Sequence, residues 1–485
     1  MSQRTFIVVG AGLGGLATAL RLAHRGHHVT LLEKTEVVGG RNRSVHVNDC
    51  TFDAGPTLLM MLDPFFKLFV DVGEKFEDHL QISLCDPNYR TFFGDGSRIN
   101  CTSNVAHMIR QIEKLSGPKD AAAYPQMLGK LAELYHASMP KFVRRNYDSP
   151  LDLARIDSAK IALKHGMLGN LAKGMEGFFD DPRLQMLFCL QTMYLGLSPY
   201  DAPWVYAVLV YMEYGEGIWY PKGGMVEICR VVAELAERRG VKIRLNSPVA
   251  NIDGKSVRLE SGETLSADAV ICNADLPYAD KMLVEKPVRL KERPLRYSCS
   301  AYTFYMDYEG DLPDVLHHNI VLGKDFYANL DQIFNQHEIP DEPAFYMAAS
   351  SKTDPSKAPK GHLNLQILVP CPNLEHAWVE EDGVDLEAKV FSRLKREVGF
   401  ETDKIRGIRR INPIEWKSML NLDKGATFGL SHDFMQSVCF RPSNKSKTSK
   451  GLYYVGASTV PGNGLPMVLI SAELVEQRLE ADGLL

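Results

Sequence analysis

The chain has 485 residues, 45% of them hydrophobic and 24% charged, and carries a formal net charge of −5 at pH 7. That length exceeds what one hydrophobic core serves, so two or three subdomains are expected, and the balance of apolar and charged residues excludes a disordered or fibrous chain. The negative charge, with no basic tail, excludes nucleic acid as the main partner, because phosphate binding needs clustered positive charge.

Residues 5–10 (TFIVVG), 11–15 (AGLGG), 16–26 and 28–33 read as strand, glycine turn, helix and strand. Leu16, Ala19, Leu20 and Ala23 recur at helical spacing, and Gly26 is placed to close the helix. Residues 86–100 read as a hairpin turning at Gly94-Asp95-Gly96. Residues 104–214 are mainly helical in pattern. After WYPKGG at 219–224 a helix is predicted over 225–239, stopped by Gly240, and VKIRL, VANID, SVRLE and AVICNAD follow as short strands. Between 296 and 420 the strand-like runs SCSAYTFYMDY, AFYMAAS and HLNLQILVP alternate with one helix near 386–398. The chain closes with a strand (GLYYVGAS), a loop (TVPGNGLP) and a helix.

Gly10, Gly12 and Gly15 form GxGxxG between a strand and a helix, and Glu33 closes the second strand 23 residues after the first glycine. The glycines allow a tight turn and close approach of a pyrophosphate to backbone N–H groups. The helix start adds partial positive charge, and Glu33 can accept hydrogen bonds from a ribose. A dinucleotide is expected. Gly39-Gly40-Arg41 follows, a flexible pair beside an arginine that suits a loop folded back over a long cofactor's phosphates, so FAD is expected rather than NAD.

Further motifs run the length of the chain: FDAGPT at 52–57, WYPKGGM at 219–225, CNAD at 272–275, YSCSAY at 297–302, LHHNI at 316–320, FRPSNKS at 440–446 and VGASTVPGNGLPMVLISA at 455–472. Together and in this order they resemble the phytoene and dehydrosqualene desaturases of bacterial carotenoid synthesis, within the larger amine-oxidase-like flavoprotein group. PTLLMM at 56–61 and YSCSAY look nearer the dehydrosqualene enzymes. The resemblance implies an FAD enzyme that inserts double bonds into a linear polyisoprenoid while bound to a membrane, passing electrons to an acceptor such as quinone or oxygen. It further implies that Gly10, Gly12, Leu13, Gly14, Gly15, Glu33, Lys34, Gly39, Gly40, Arg41, Pro56, Thr57 and Asn273 contact FAD. Val249 would hold the adenine through its backbone, and Gly456, Pro466 and Met467 would reach the ribityl chain and flavin ring. One departure stands out: where the family usually reads GAGTHPG or GASVHPG, this chain reads GASTVPG, so Val460 takes the place of a common histidine.

The fold class implied is α/β, α+β overall. A Rossmann-like FAD-binding domain is expected from the discontinuous segments 1–80, 219–290 and 446–485, with a mixed-sheet substrate domain from 81–103 and 291–445. Residues 104–218 would form a helical, membrane-associated region. The loop from Ser458 to Pro466 opens the final helix, so its dipoles can stabilise negative charge on a reduced flavin.

Desaturation also needs a proton sink, and the candidates are Asp152 in the helical region, Glu213 before WYPKGG, and the pair His317 and His318. Each has a structural alternative: a helix cap for Asp152, a buried ion-pair partner for Glu213, loop packing for the histidines. No metal is expected. The nine cysteines are scattered singly without a CxxC pair, which fits unpaired thiols in a reducing compartment. No secretory signal is recognised, and no stretch reaches the roughly 18 apolar residues of a spanning helix. Between Lys130 and Lys173, however, eight basic residues face four acidic ones, interspersed with Met139, Phe142, Leu163, Met167, Leu168 and Leu171. Such a stretch can sit among acyl chains and anionic headgroups, so a cytoplasmic protein, peripheral on the inner face of the cell membrane, is expected. Two further readings stay open on the same fold: a flavin-dependent isomerase or hydroxysqualene-type dehydroxylase, and a non-catalytic prenyl-binding carrier, which would lack the intact flavin loop.

Overall fold

A computed structural model describes residues 3–153, 156–287 and 295–485. Strand β1 (Thr5–Val9) is buried from its second residue on, as suits a strand covered on both faces. Helix α1 (Leu13–His24) follows, then β2 (His28–Leu32). β1 pairs in parallel with β2 on one side and with Ala269–Cys272 on the other. Leu452–Tyr454 and Lys242–Arg244 complete a five-stranded parallel sheet. Its strands thus come from three stretches of chain. α1 and the closing helix Leu465–Ala481 pack side by side, which brings the two ends of the protein to one sheet.

A second sheet has seven strands in the order Ile405–Ile411, Ser300–Glu309, His362–Cys371, Phe345–Ala349, His318–Val321, Tyr89–Phe92 and Arg98–Cys101. It is antiparallel except where Tyr89–Phe92 lies parallel to His318–Val321. Two of these strands escape the sequence patterns for physical reasons. His318–Val321 has four residues, too few to show a period. Ile405–Ile411 is an edge strand carrying three arginines, the charged composition that protects an edge from stray pairing. The helix expected near 386–398 begins earlier, at Glu380, where Glu380, Glu381 and Asp382 supply the acidic first turn that suits a helix start.

The described residues of 105–214 fold into short helices around the longer Pro118–Ser138. Among the described residues no helix is long and apolar enough to cross a membrane. The apolar residues singled out for membrane contact divide. Met139, Met167 and Leu171 are buried and Phe142 is half-buried, because they face the interior, whereas Leu163 and Leu168 are 81% and 71% exposed. Of the basic residues, Arg144 is ion-paired with Asp63 and Glu473, and Arg155 lies outside the described residues.

Candidate functional site

The parallel sheet ends on a glycine turn so crowded that side chains are excluded. A β-carbon on Gly15 would meet the Gly10 carbonyl oxygen at 2.1 Å, and on Gly12 or Gly14 the Asn273 side chain at 2.9 Å. Asn273 itself donates to the Gly10 carbonyl at 3.2 Å, so CNAD supplies the wedge that shapes the turn from behind. The Gly39-Gly40 loop folds back onto it: Gly39 N–H donates to Ala11 at 2.8 Å, and a β-carbon on Gly40 would stand 3.3 Å from Gly12 Cα.

Glu33 is buried at the end of β2. Its carboxylate accepts Ala11 N–H at 2.8 Å and the N–H and hydroxyl of Thr35 at 3.0 Å each. A carboxylate offers about four acceptor positions, so these bonds fix its orientation and leave room for one ribose hydroxyl.

The closing loop is held by residues far away in sequence. Arg441 of FRPSNKS is buried without an ion-paired carboxylate among the described residues and donates to backbone carbonyls, among them Ala457 at 2.6 Å and Thr459 at 3.0 Å. Asn444 donates to Tyr454 and Val460 carbonyls at 3.0 and 3.1 Å. Ser458 donates to Asp275 at 2.8 Å, and Arg41 reaches the same carboxylate oxygen at 3.3 Å, tying the first segment to the last. FDAGPT and WYPKGGM form a second clamp: Asp53, buried, accepts from Tyr220 at 2.7 Å and from Met225 N–H at 2.8 Å.

A single cavity of about 840 Å³ runs from Glu33 and Lys34 past the glycine turn and the closing loop into the helical region. Of the residues expected at the cofactor, Gly10, Gly12, Leu13, Gly14, Glu33, Lys34, Gly39, Gly40, Arg41, Pro56, Thr57, Val249, Asn273, Gly456, Pro466 and Met467 line it. Gly15 does not; it lies behind the turn, against Gly10. Toward the helical region the lining turns apolar, with Met139, Phe142, Leu168, Val205 and Phe434, and the lining Asp, Glu, Lys and Arg residues all belong to the nucleotide end.

Seven cavity-lining side chains carry buried polar atoms without a partner among the described residues, including Arg41 Nε, Thr427 Oγ1, His432 Nδ1 and Asn463 Oδ1. Two helices, α1 and Leu465–Ala481, open on this cavity with no side-chain cap. Uncapped N–H groups and orphaned polar atoms along one channel fit a long, polar, anionic cofactor.

Val460, in the place of the family's common histidine, is buried among Met61, Tyr135, Met139 and Met467. Another imidazole reaches the same loop: His432 Nε2 accepts Asn463 N–H at 3.3 Å, and a β-carbon on Gly462 would strike it at 2.4 Å. Because Nε2 accepts, Nδ1 carries the ring proton. Burial and the Arg441 charge hold His432 well below the usual imidazole range, so it is a neutral donor. Sequence reasoning missed His432, which lies outside every motif, and Arg441 and Asn444, whose motif membership says nothing of their partners.

None of the four proton-sink candidates lines the cavity. Asp152 uses its carboxylate to accept the N–H groups of Asp148 at 2.8 Å and Ser149 at 3.1 Å, a local cap. His317 and His318 are buried with ring centroids 3.9 Å apart, behind Tyr346. Burial pushes His317 down to about 3 and, with His317 alongside, holds His318 well below an ordinary imidazole, so neither takes a proton at neutral pH. Cys85 lies beside them, with ligand atoms of the three within 4.8 Å of one another. Both Nδ1 atoms are already hydrogen-bonded to hydroxyls, those of Thr353 and Tyr346. Glu213, fully buried, accepts from Tyr89, from Gln191 at 3.1 Å and from Tyr194 at 2.8 Å. Burial raises it to about 7, against the lowering effect of those three donors.

A family model described as flavin containing amine oxidoreductase matches residues 13–475. The chain is 43% identical to the zeta-carotene-forming phytoene desaturase of Myxococcus xanthus, over 98% of this chain and 94% of that one. It is 31% identical to the 4,4'-diapophytoene desaturase (4,4'-diaponeurosporene-forming) of Staphylococcus haemolyticus, over 98% of each. Among solved structures, an oxidoreductase from Methanosarcina mazei shares the fold with a TM-score of 0.64 at 17% identity, over 98% of this chain and 100% of that one.

Proposed function

The chain belongs to the flavin containing amine oxidoreductase family, and from that premise we propose that it desaturates phytoene at the surface of a membrane. It is an FAD-dependent oxidoreductase acting on CH–CH groups in carotenoid biosynthesis. Phytoene is favoured over the dehydrosqualene suggested by PTLLMM and YSCSAY, because the phytoene-named relative is closer over the whole chain, 43% against 31%.

The observation that carries the reading is the continuity of one cavity from the nucleotide cradle into an apolar pocket. Bound FAD supplies the oxidising centre that accepts a hydride. The protein's own residues do the rest. The glycine turn, Glu33, Arg41 and Asn273 form the cradle; Arg441 and Asn444 hold the closing loop rigid; the apolar lining excludes water and orients by shape a substrate that has no heteroatom to grip.

Membrane attachment is supported by the cavity's outer rim. Leu168 and Phe434 line the cavity and are exposed, and Leu163 and Met435 stand exposed beside them in the chain, with Lys160 and Lys164 on the helix that carries Leu163. A rim of this kind lets a lipid-dissolved substrate enter without crossing water. The nine unpaired thiols support a cytoplasmic location on the inner face of the cell membrane, with a quinone or dioxygen as electron acceptor.

The test is anaerobic incubation of the FAD-loaded protein with liposomes carrying phytoene or 4,4'-diapophytoene, following flavin bleaching and product absorption. Bleaching with new long-wavelength bands from phytoene is expected. The same response from diapophytoene alone would overturn the substrate choice, and colour without net flavin reduction would identify an isomerase.

A further inference from the structure

Removing a hydride from one carbon leaves a proton to be taken from its neighbour, and the cavity walls offer few groups to take it. Three tyrosines that line the cavity hydrogen-bond through their hydroxyls to a neighbouring side chain: Tyr206 with Ser437 Oγ at 2.7 Å, Tyr346 with His318 Nδ1 at 2.6 Å and Tyr194 with Glu213 Oε2 at 2.8 Å, of which His318 and Glu213 are buried behind the wall. The serine hydroxyl is no base at neutral pH. His318 is held neutral by burial and by His317. Only Tyr194 is backed by a carboxylate.

The surroundings of that carboxylate suit a proton that arrives and leaves. Glu213 is met by three neutral donors, Tyr89, Gln191 and Tyr194, and among the described residues no cation is hydrogen-bonded to it. An arginine or lysine partner would hold it ionised; its absence lets burial bring its affinity for protons to about 7, where uptake and release are both easy. Tyr194 is also placed next to the reacting region. Its carbonyl accepts Asn463 Nδ2 at 3.4 Å, which sets it against the loop that opens the final helix, where the flavin ring is expected.

We propose that Tyr194 and Glu213 are the proton acceptor of the desaturation, Tyr194 taking a proton from the substrate carbon as its own hydroxyl proton passes to Glu213. The inference rests on the desaturase reading. In each cycle one C–H bond breaks with its electron pair leaving as hydride to the bound FAD. The neighbouring C–H bond gives its proton to the Tyr194 oxygen, and its electron pair becomes the second bond of the new C=C. Glu213 then releases its proton as a quinone or dioxygen reoxidises the cofactor, so the acceptor gains the two hydrogens the substrate loses. Tyr194 touches the substrate; Glu213 acts through it as the place where the proton rests.

The experiment uses the full-length protein loaded with FAD, mixed anaerobically with phosphatidylcholine–phosphatidylglycerol liposomes containing phytoene, and follows single-turnover flavin bleaching across the neutral pH range. The wild-type rate is expected to rise with pH through an inflection near 7 and then level off, because the ionised carboxylate is the active form. Glu213→Gln and Tyr194→Phe should each lose the inflection and slow by about 10²–10⁴-fold, with FAD content unchanged. A Glu213→Gln protein that keeps the inflection and a rate within about threefold of wild type would overturn the proposal, as would a wild-type profile flat through neutrality. If Glu213→Gln fails to hold FAD, Tyr194→Phe and the wild-type profile still decide. No bleaching by the wild type would overturn the desaturase reading itself, which separates the two failures.

Discussion

Replacing Gly15 by alanine probes how the glycine turn makes a cofactor site. The added carbon would stand 2.1 Å from the Gly10 carbonyl oxygen and 3.2 Å from Asn273 Cβ, where about 3.5 Å is the ordinary separation. Gly10 cannot swing aside, since its N–H donates to Leu32 at 2.7 Å and its carbonyl accepts from Asn273. α1 must therefore back away from β1 by roughly 1 Å, an overpacking that costs about 1–3 kcal/mol. The same shift carries the N–H groups at the helix start away from the cofactor phosphates, and each charge-assisted bond lost costs about 1.5–3 kcal/mol. Losing two such bonds would weaken FAD binding by at least about 100-fold. Titration of FAD into the apoprotein, followed by flavin fluorescence and by the melting temperature, measures both effects. Gly129 is the control: it lies on an exposed face of Pro118–Ser138 with nothing within 4 Å of an added β-carbon. Gly129→Ala should stabilise the fold by about 0.5–1 kcal/mol and leave FAD affinity alone. A Gly15→Ala protein that binds FAD within about threefold of wild type would refute the steric argument.

Leu163→Glu combined with Leu168→Glu should lower co-sedimentation with anionic liposomes by at least about tenfold at unchanged FAD content, since each leucine contributes about 1.5–3 kcal/mol when buried; unchanged sedimentation would remove the rim from the membrane contact. His432→Leu orphans the Asn463 N–H, a cost of about 1–3 kcal/mol, and should shift the visible flavin absorption; an unaltered spectrum would show that the imidazole does not face the ring. Glu213 also leaves a mark on stability. Its raised affinity favours the protonated form in the fold, so its contribution is full below about pH 4.5 and is lost as pH rises through about 7. Relative to wild type, Glu213→Gln should gain up to about 3 kcal/mol between those limits, measured by urea unfolding at both ends of the range. His317, pushed down to about 3 from 6.5, acts with the opposite sign: its contribution is full above about 6.5 and disappears as pH falls toward 3, so His317→Gln should flatten the acid limb of the same unfolding series.

Much of the nucleotide end is legible along the chain because its physics is local. A strand, a turn tight enough to demand Gly10, Gly12 and Gly15, a helix start and an acid at position 33 follow from spacing alone, and the parallel strands announce themselves as apolar runs. The order of the remaining motifs, from FDAGPT to the closing loop, carries the resemblance to the desaturases. The partners of those motifs are another matter. That Asp53 grips Tyr220 and Met225, that Arg441 and Asn444 hold the loop at 457–460, and that Asn273 wedges the glycine turn are contacts between segments up to 263 residues apart, and no spacing rule encodes them.

The same limit separates the four proton-sink candidates. In sequence Asp152, Glu213, His317 and His318 are equivalent: ionisable residues among apolar ones. Packing alone spends Asp152 on backbone N–H groups, stacks the two histidines behind Tyr346, and sets Glu213 among neutral donors behind a tyrosine of the cavity wall. It likewise turns Met139, Met167 and Leu171 inward while Leu163 and Leu168 face out. Residue type and spacing determined the strand, glycine turn, helix and acid of a dinucleotide fold; burial and through-space partners, which set the charge a group carries and the surface it meets, arise only when distant segments come together.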